Sequence, residues 1–180
     1  HEAAHDQFAV TATAAAPAVK AAGPALAVDN QGNQVVVKSS RVSFVFDKAK
    51  GMVTSYKVAG KEYFYEGFGL QPNFWRGPTD NDYGNQMPYR LQVWKEASAN
   101  FKVAEASASM QDKNAVVEVK YALPTKNIMT VKYTIMPSGA ITVDGDFAAV
   151  TQGDAAKANV PRIGLRFRVP ASLNHVQYYG

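Results

Sequence analysis

From Leu26 onward, apolar and polar residues alternate. VVVKSS, RVSFVFD and MVTSYKV place hydrophobic side chains at every second position. That period turns one face of a strand toward a core and the other toward water. VAGKEYFY predicts a hairpin with its turn at Gly60-Lys61. After a polar stretch the alternation returns in FKVAEASASM, AVVEVKYAL, IMTVKYTIM and AITVDGDFAAV, separated by the turn clusters QDKN, PTKN and PSG. Turns this short force successive strands to be antiparallel neighbours, so this half is predicted to be a meander. A loop from Thr151 to Asn159 leads into RIGLRFRV, another alternating strand. Apart from the segment around Asn85 to Trp94, no stretch has a helical period. The pattern predicts an all-β fold with strands long enough for a large sandwich.

The first residues have another texture. HEAAHDQFAV is followed by TATAAAPAVKAAGPA, which is low in complexity, carries two prolines and a glycine, and reads as an extended linker. At the other end, VQYYG looks like a strand cut short. The Ala-rich stretch from Val10 to Val28 is interrupted by Pro17, Lys20 and Pro24, so it predicts no membrane-spanning helix. It also lacks the basic start and leucine-rich core of a signal peptide.

Composition narrows the classes. In 180 residues, 47% hydrophobic and 19% charged content describes a globular chain able to bury one core, rather than a disordered one. There are no cysteines, which excludes disulfides, thiolate zinc sites and a cysteine nucleophile. The net charge of +4 raises nucleic acid as a partner. The lysines, however, are dispersed along strands and turns (Lys102, Lys113, Lys120, Lys126, Lys132), without the clustered stripe that such binding needs. Neither nucleic acid nor membrane is expected as a partner.

The candidate chemistry collects in NFWRGPTDNDYGN, Asn73 to Asn85, with one further motif at the start of the chain. HEAAH, residues 1–5, matches H-E-x-x-H, in which two histidines one helical turn apart hold zinc. The following DQFAVTATAAAP breaks such a helix, and a third ligand would have to be His175 or a distant carboxylate. Asp80-Asn81-Asp82 suggests a cation loop, but EF-hand spacing from Asp80 requires Gly and Glu where Asn85 and Leu91 stand. A looser cation site stays open. Asp80 and Asp82 are also a carboxylate pair of the type a glycosidase uses. Residues two apart nevertheless sit side by side on one surface, and aspartates in such loops commonly hold a turn by accepting backbone N–H groups. Among the aromatics, Trp75 and Trp94 are expected in the core, with Tyr83 and Tyr89 exposed, where they would suit the face of a saccharide.

FWRGPTDNDYGN followed by LQVWKEA resembles the opening of the last domain of β-galactosidases of glycoside hydrolase family 2, which carries F-W/T-R-A-P-x-D-N-D-x-G and then W-K-x-A. Gly77 stands where alanine is usual. SYKVAGKEYF is similar to the hairpin before that motif, RIGLRFRV with HVQYYG to a later run, and HEAAHDQFAV to the closing strand of a preceding immunoglobulin-like domain. The resemblance implies that residues 1–25 are that closing strand plus a linker. Residues 26–180 would be the first part of an antiparallel β-supersandwich of the galactose-mutarotase-like type, lacking its C-terminal half.

It further implies that the catalytic glutamates lie elsewhere, on a TIM barrel of about 250 residues, so that no catalytic residue lies in this chain and it has no hydrolase activity alone. Asp80, Asn81, Asp82, Tyr83, Gly84, Asn85, Tyr89 and Arg90 would form a loop at the mouth of that site, supported by Trp75 and Arg76. Gly84 would be its hinge, Asn81 and Asp82 its base, and Asn85 to Arg90 its moving part. Arg76 would pair with Asp80 or Asp82, or reach the barrel. The implied partners are the barrel domain of the same enzyme and a galactoside, in a homo-oligomer. No metal or cofactor is expected in this chain, with Mg2+ and a monovalent cation bound outside it. The alternatives are a carbohydrate-binding module and a purely structural sandwich. The compartment stays open, with a lean toward periplasmic or secreted.

Overall fold

The computed structural model describes residues 22–148 and 159–176. HEAAH, the closing strand expected in HEAAHDQFAV, the linker as far as residue 21, most of the Thr151–Asn159 loop and the final QYYG lie outside these residues.

The first sheet has five strands in chain order: β1 Ala27–Asp29, β2 Gln34–Lys38, β3 Val42–Asp47, β4 Met52–Val58 and β5 Lys61–Glu62. All neighbours are antiparallel. The second is the predicted meander: β7 Lys102–Gln111, β8 Asn114–Ala122, β9 Ile128–Ile135 and β10 Ile141–Ala148, in the order β10-β9-β8-β7. Between the sheets in sequence come β6, Gln71–Asn73, and three short helices, α1 Asp80–Gly84, α2 Met87–Arg90 and α3 Gln92–Ala99. Of RIGLRFRV only Gly164–Arg166 forms a strand, β11, which pairs antiparallel with β6 as a separate ribbon.

The two larger sheets pack face to face as an all-β sandwich. Val35, Val37, Val42, Phe44, Phe46 and Val53 from one sheet, and Val117, Val119, Tyr121, Val131, Tyr133 and Ile135 from the other, are all essentially inaccessible to water. Phe44 meets Tyr133 across the interface with ring centroids 5.5 Å apart, and the Tyr56 hydroxyl donates to the Gly139 carbonyl at 2.5 Å.

Two bulges explain where strict alternation fails. Val53 and Tyr56 both face the core although they are an odd number of residues apart, because the pairing of β3 with β4 skips Thr54. In β7, the pairing with β8 skips Ala104, which puts Val103 and Ala106 on the same inward side. An extra residue on one strand flips the phase that period two would otherwise carry through.

The hairpin turn is one residue earlier than predicted. Val58 pairs with Lys61, leaving Ala59 (φ 51°) and Gly60 (φ 81°) as the two loop residues. Both take left-handed angles, the requirement of the turn whose twist matches a two-residue hairpin.

Candidate functional site

The polar segment follows directly on β6. Phe74 is fully buried between Trp94 and Phe147, with centroids 5.8 and 5.4 Å away. Its backbone N–H donates to the Ser98 hydroxyl at 2.8 Å, and that hydroxyl donates to the Trp94 carbonyl at 2.9 Å. These contacts fasten the exit of β6 to α3. Trp94 is therefore core, as expected, whereas Trp75 is only half-buried.

Beyond Trp75 the chain enters α1 through a capping box. The Asp82 backbone N–H donates to the Thr79 hydroxyl oxygen at 3.4 Å. In return, the Asp82 carboxylate accepts from the Thr79 N–H at 2.8 Å and the Thr79 hydroxyl at 2.9 Å. Such a reciprocal pair satisfies donors that the first turn of a helix otherwise leaves open. Arg76 closes the arrangement from the other side, donating from its two terminal nitrogens at 2.5 and 2.8 Å to the two carboxylate oxygens. This bidentate fork matches guanidinium to carboxylate and fixes both planes. The Arg76 guanidinium, followed by the Thr79 N–H, holds the Asp82 carboxyl well below the usual carboxylate range.

The lock decides what Asp82 can do. Both oxygens are engaged by donors, three of them on Oδ2, and with a positive charge already against it and little exposure Asp82 serves to hold the turn. Asp80 is exposed at the first helical position, with no side-chain partner among the described residues. Residues i and i+2 of a helix do not face one another. The pair is thus a turn-holding aspartate and a solvent-facing one, an arrangement that favours neither the cation nor the carboxylate-pair reading. Among the described residues no group of histidine or acidic side chains is arranged to hold a metal ion.

The segment Asn85 to Arg90, expected as the moving part of a loop, consists largely of helical turns. Met87, Leu91, Trp94 and Ala97 are buried, at the i, i+4, i+7, i+10 spacing of one helical face. This period was present in the sequence and masked by Pro88, which is tolerated in a first turn because its missing N–H is not needed there. The left-handed residue between α1 and α2 is Gln86 (φ 61°), not Gly84, which lies within α1 with open space around its Cα. A hinge that depends on glycine-only backbone angles at Gly84 is therefore absent from this conformation. Asn81, Tyr83, Asn85, Tyr89 and Arg90 are all exposed, Tyr83 at 57% and Tyr89 at 74%. Arg90 is tied back to Asn85, its Nε donating to the Asn85 carbonyl at 2.9 Å.

Residues 38–180 match the family model described as β-galactosidase small chain. The chain belongs to that family. It is 34% identical to a β-galactosidase of Priestia megaterium over 181 aligned residues, taking in all of this chain and 17% of that protein. It is 30% identical to one of Lactobacillus delbrueckii subsp. bulgaricus, over 91% of this chain and 16% of the other. Against the β-galactosidase small subunit of Latilactobacillus sakei the identity is 28%, over 80% of this chain and half of that protein.

The chain thus spans about a sixth of the Priestia megaterium and Lactobacillus delbrueckii proteins and half of the Latilactobacillus sakei small subunit. Within it, the structure brings Arg76, Thr79 and Asp82 together as a locked base, and turns Asp80, Asn81, Tyr83, Asn85, Tyr89 and Arg90 to the surface of the same short helical run. Thr79 went unnoticed in the sequence, although its spacing to Asp82 is a capping-box signature.

The β-galactosidase small-chain segment also holds two cavities that bear on function. One, of about 600 Å³, lies between β10 and the strip around β11, lined by Tyr56, Tyr63, Phe64, Ile141, Leu165 and Phe167 among others. It is almost wholly apolar, and a saccharide site requires converging hydrogen-bond groups. The other, of about 320 Å³, lies beside the lock and is lined by Asn73, Trp75, Arg76, Lys95 and Arg166.

Proposed function

We propose that this chain is the non-catalytic part of a β-galactosidase that hydrolyses terminal β-D-galactosyl bonds, and that Asp80 to Arg90 serves the mouth of an active site built by another part of the polypeptide. The observation that carries this reading is the state of the carboxylates in the very segment where catalysis would otherwise be sought. Two-carboxylate glycoside hydrolysis needs one group free to act as an acid and another free to act as nucleophile or base, across the scissile bond. Asp82 is consumed by Arg76 and Thr79, and Asp80 faces away from it. A segment spanning 17% of the Priestia megaterium relative also leaves ample chain for the catalytic site elsewhere. In that role the Arg76–Asp82 lock sets the position of α1, and the exposed Tyr83 and Tyr89 are the side chains available to substrate or to the facing domain.

A second reading, a sugar-binding module, is favoured by the exposure of these two tyrosines, whose amphipathic rings suit saccharide faces.

Activity toward a chromogenic galactoside, compared between residues 1–180 and the full polypeptide, tests the first reading. Hydrolysis by the full polypeptide alone is expected; hydrolysis by residues 1–180 would overturn it. Tryptophan fluorescence of residues 1–180 titrated with galactose separates the second, since saturable quenching would mark a binding site of its own.

A further inference from the structure

We infer that the cavity beside the Arg76–Asp82 lock is a docking notch for an acidic side chain from the part of the polypeptide outside this chain. The inference rests on the reading that the chain is one part of a longer β-galactosidase. It adds a contact which that reading does not specify.

Three cationic side chains, Arg76, Lys95 and Arg166, line this cavity of about 320 Å³, together with Asn73 and Trp75, and no carboxylate among the described residues lines it. They arrive from three separate elements: Arg76 from the strap after β6, Lys95 from α3 and Arg166 from β11. Among the described residues only Arg76 of the three has an acidic partner, and Asp82 occupies just its two terminal nitrogens, leaving Nε unused by that pair. Its side chain remains 40% exposed. Arg166 donates to the neutral Gln71 Oε1 at 3.3 Å and lies 5.6 Å from the Phe68 ring centroid, with no acid against it among the described residues. Lys95 is exposed and has no ion pair among the described residues.

Convergent like charges raise a positive potential that repels itself and attracts an anion. Here the anchoring is firm on each side. The carboxylate fork holds Arg76, the antiparallel pairing of β6 with β11 holds the backbone at Arg166, and the buried Trp94 face holds α3 and with it Lys95. Arg76, already gripped by its fork, loses little side-chain freedom on receiving a carboxylate, which favours a charge-assisted contact. The volume admits an aspartate or glutamate side chain. An acidic side chain from the rest of the polypeptide is the occupant that charge complementarity selects, since the Priestia megaterium relative is about six times the length of this chain.

The test uses the full polypeptide. Acetylation of Lys95 should be slowed about tenfold relative to the unfolded polypeptide, the factor given by 1.4 kcal/mol of contact. Among the described residues Lys95 is exposed, and the link formed in the next step identifies what protects it. Carbodiimide coupling followed by peptide mass spectrometry should join Lys95 to an aspartate or glutamate outside residues 1–180. Unhindered acetylation of Lys95, or a link to an acid within residues 1–180 of the same or a second copy, overturns the proposal. Where no link forms, charge reversal decides. Lys95→Glu should lower the full polypeptide's thermal midpoint more than Lys95→Gln does, with the difference vanishing at high salt. Equal midpoints at low salt overturn it. Lys95 protected while Tyr83 and Gly84 variants leave the kinetics unchanged would sink the active-site-mouth reading and keep the notch; the reverse pattern would do the opposite.

Discussion

Along the meander β7–β10, burial follows from position. Met129, Val131, Tyr133 and Ile135 are buried, and the residues between them face outward or half-outward. Between Gln71 and Ala99, position says much less. Asp82 is buried and Asn81 is not, Trp94 is buried and Trp75 only partly, and the reason in each case is a named partner rather than a period. The meander is held by apolar area and a repeated ladder, in which one side chain can replace another of similar shape. The polar segment is held by matched donors and acceptors, in which an isosteric change of one atom removes the fit. Even the unmade bonds differ. The Tyr121 and Tyr133 hydroxyls are buried in the sandwich without a partner in hydrogen-bond geometry, and burial pushes both phenols up. At Asp82 both carboxylate oxygens are used.

The largest effect on stability should come from the sandwich. Phe44→Ala removes a fully buried ring from between Tyr56 and Tyr133 and should cost about 3–5 kcal/mol by denaturant unfolding. Under the proposed function, the molecules that remain folded should keep their kinetics within the full polypeptide. An equal loss of turnover per folded molecule would blur the division between the two regions.

The lock should show the opposite signature. Asp82→Asn keeps the shape but removes the charge that Arg76 grips, and Arg76→Lys keeps the charge but removes the fork. In the full polypeptide each should lower kcat/KM by between about 10- and 100-fold, the scale of a misplaced positioning element. The unfolding midpoint should fall too, because the lock contributes stability, but by less than for Phe44→Ala. Acid gives a second view. The Asp82 carboxyl is lowered from an ordinary value of 3.8, so the stability it contributes is complete above that value. It is lost only as pH falls further, toward the lowered folded value. Amide exchange in α1 should therefore be insensitive to this group from neutral pH down to 3.8 and accelerate below. Acceleration already near neutral pH would mean that the lock does not hold α1.

Gly84→Ala sharpens the comparison at one atom. An added Cβ meets nothing within 4 Å, and the residue sits within a helix, so the change should stabilise by up to about 1 kcal/mol. If α1 also opens through a conformation only glycine enters freely, kcat and KM of the full polypeptide will change together despite that gain. Unchanged kinetics would remove the hinge. The smallest effect is expected at Tyr133→Phe, which deletes an unpartnered hydroxyl and should shift stability by less than about 1 kcal/mol.

The strands of both large sheets were legible because period two is written residue by residue. The helical run was harder to read. Met87, Leu91, Trp94 and Ala97 carry its period, but Asp80 to Pro88 is rich in turn formers that obscure where a helix begins. The glycine at 84 drew attention as a hinge, while the left-handed angle fell on Gln86, whose side chain gives no such hint.

By itself the sequence determined the all-β class, the meander and its turns, the concentration of polar chemistry after β6, and the resemblance of FWRGPTDNDYGN to β-galactosidases. Alternation and turn chemistry act between near neighbours, so a linear reading captures them. Tertiary structure alone decided which aspartate Arg76 grips, that the bulges at Thr54 and Ala104 shift the core phase, and that Arg76, Lys95 and Arg166 line one notch. Each of those depends on segments brought together by packing, and a carboxylate's role is set by the donors that reach it, not by its place in the chain.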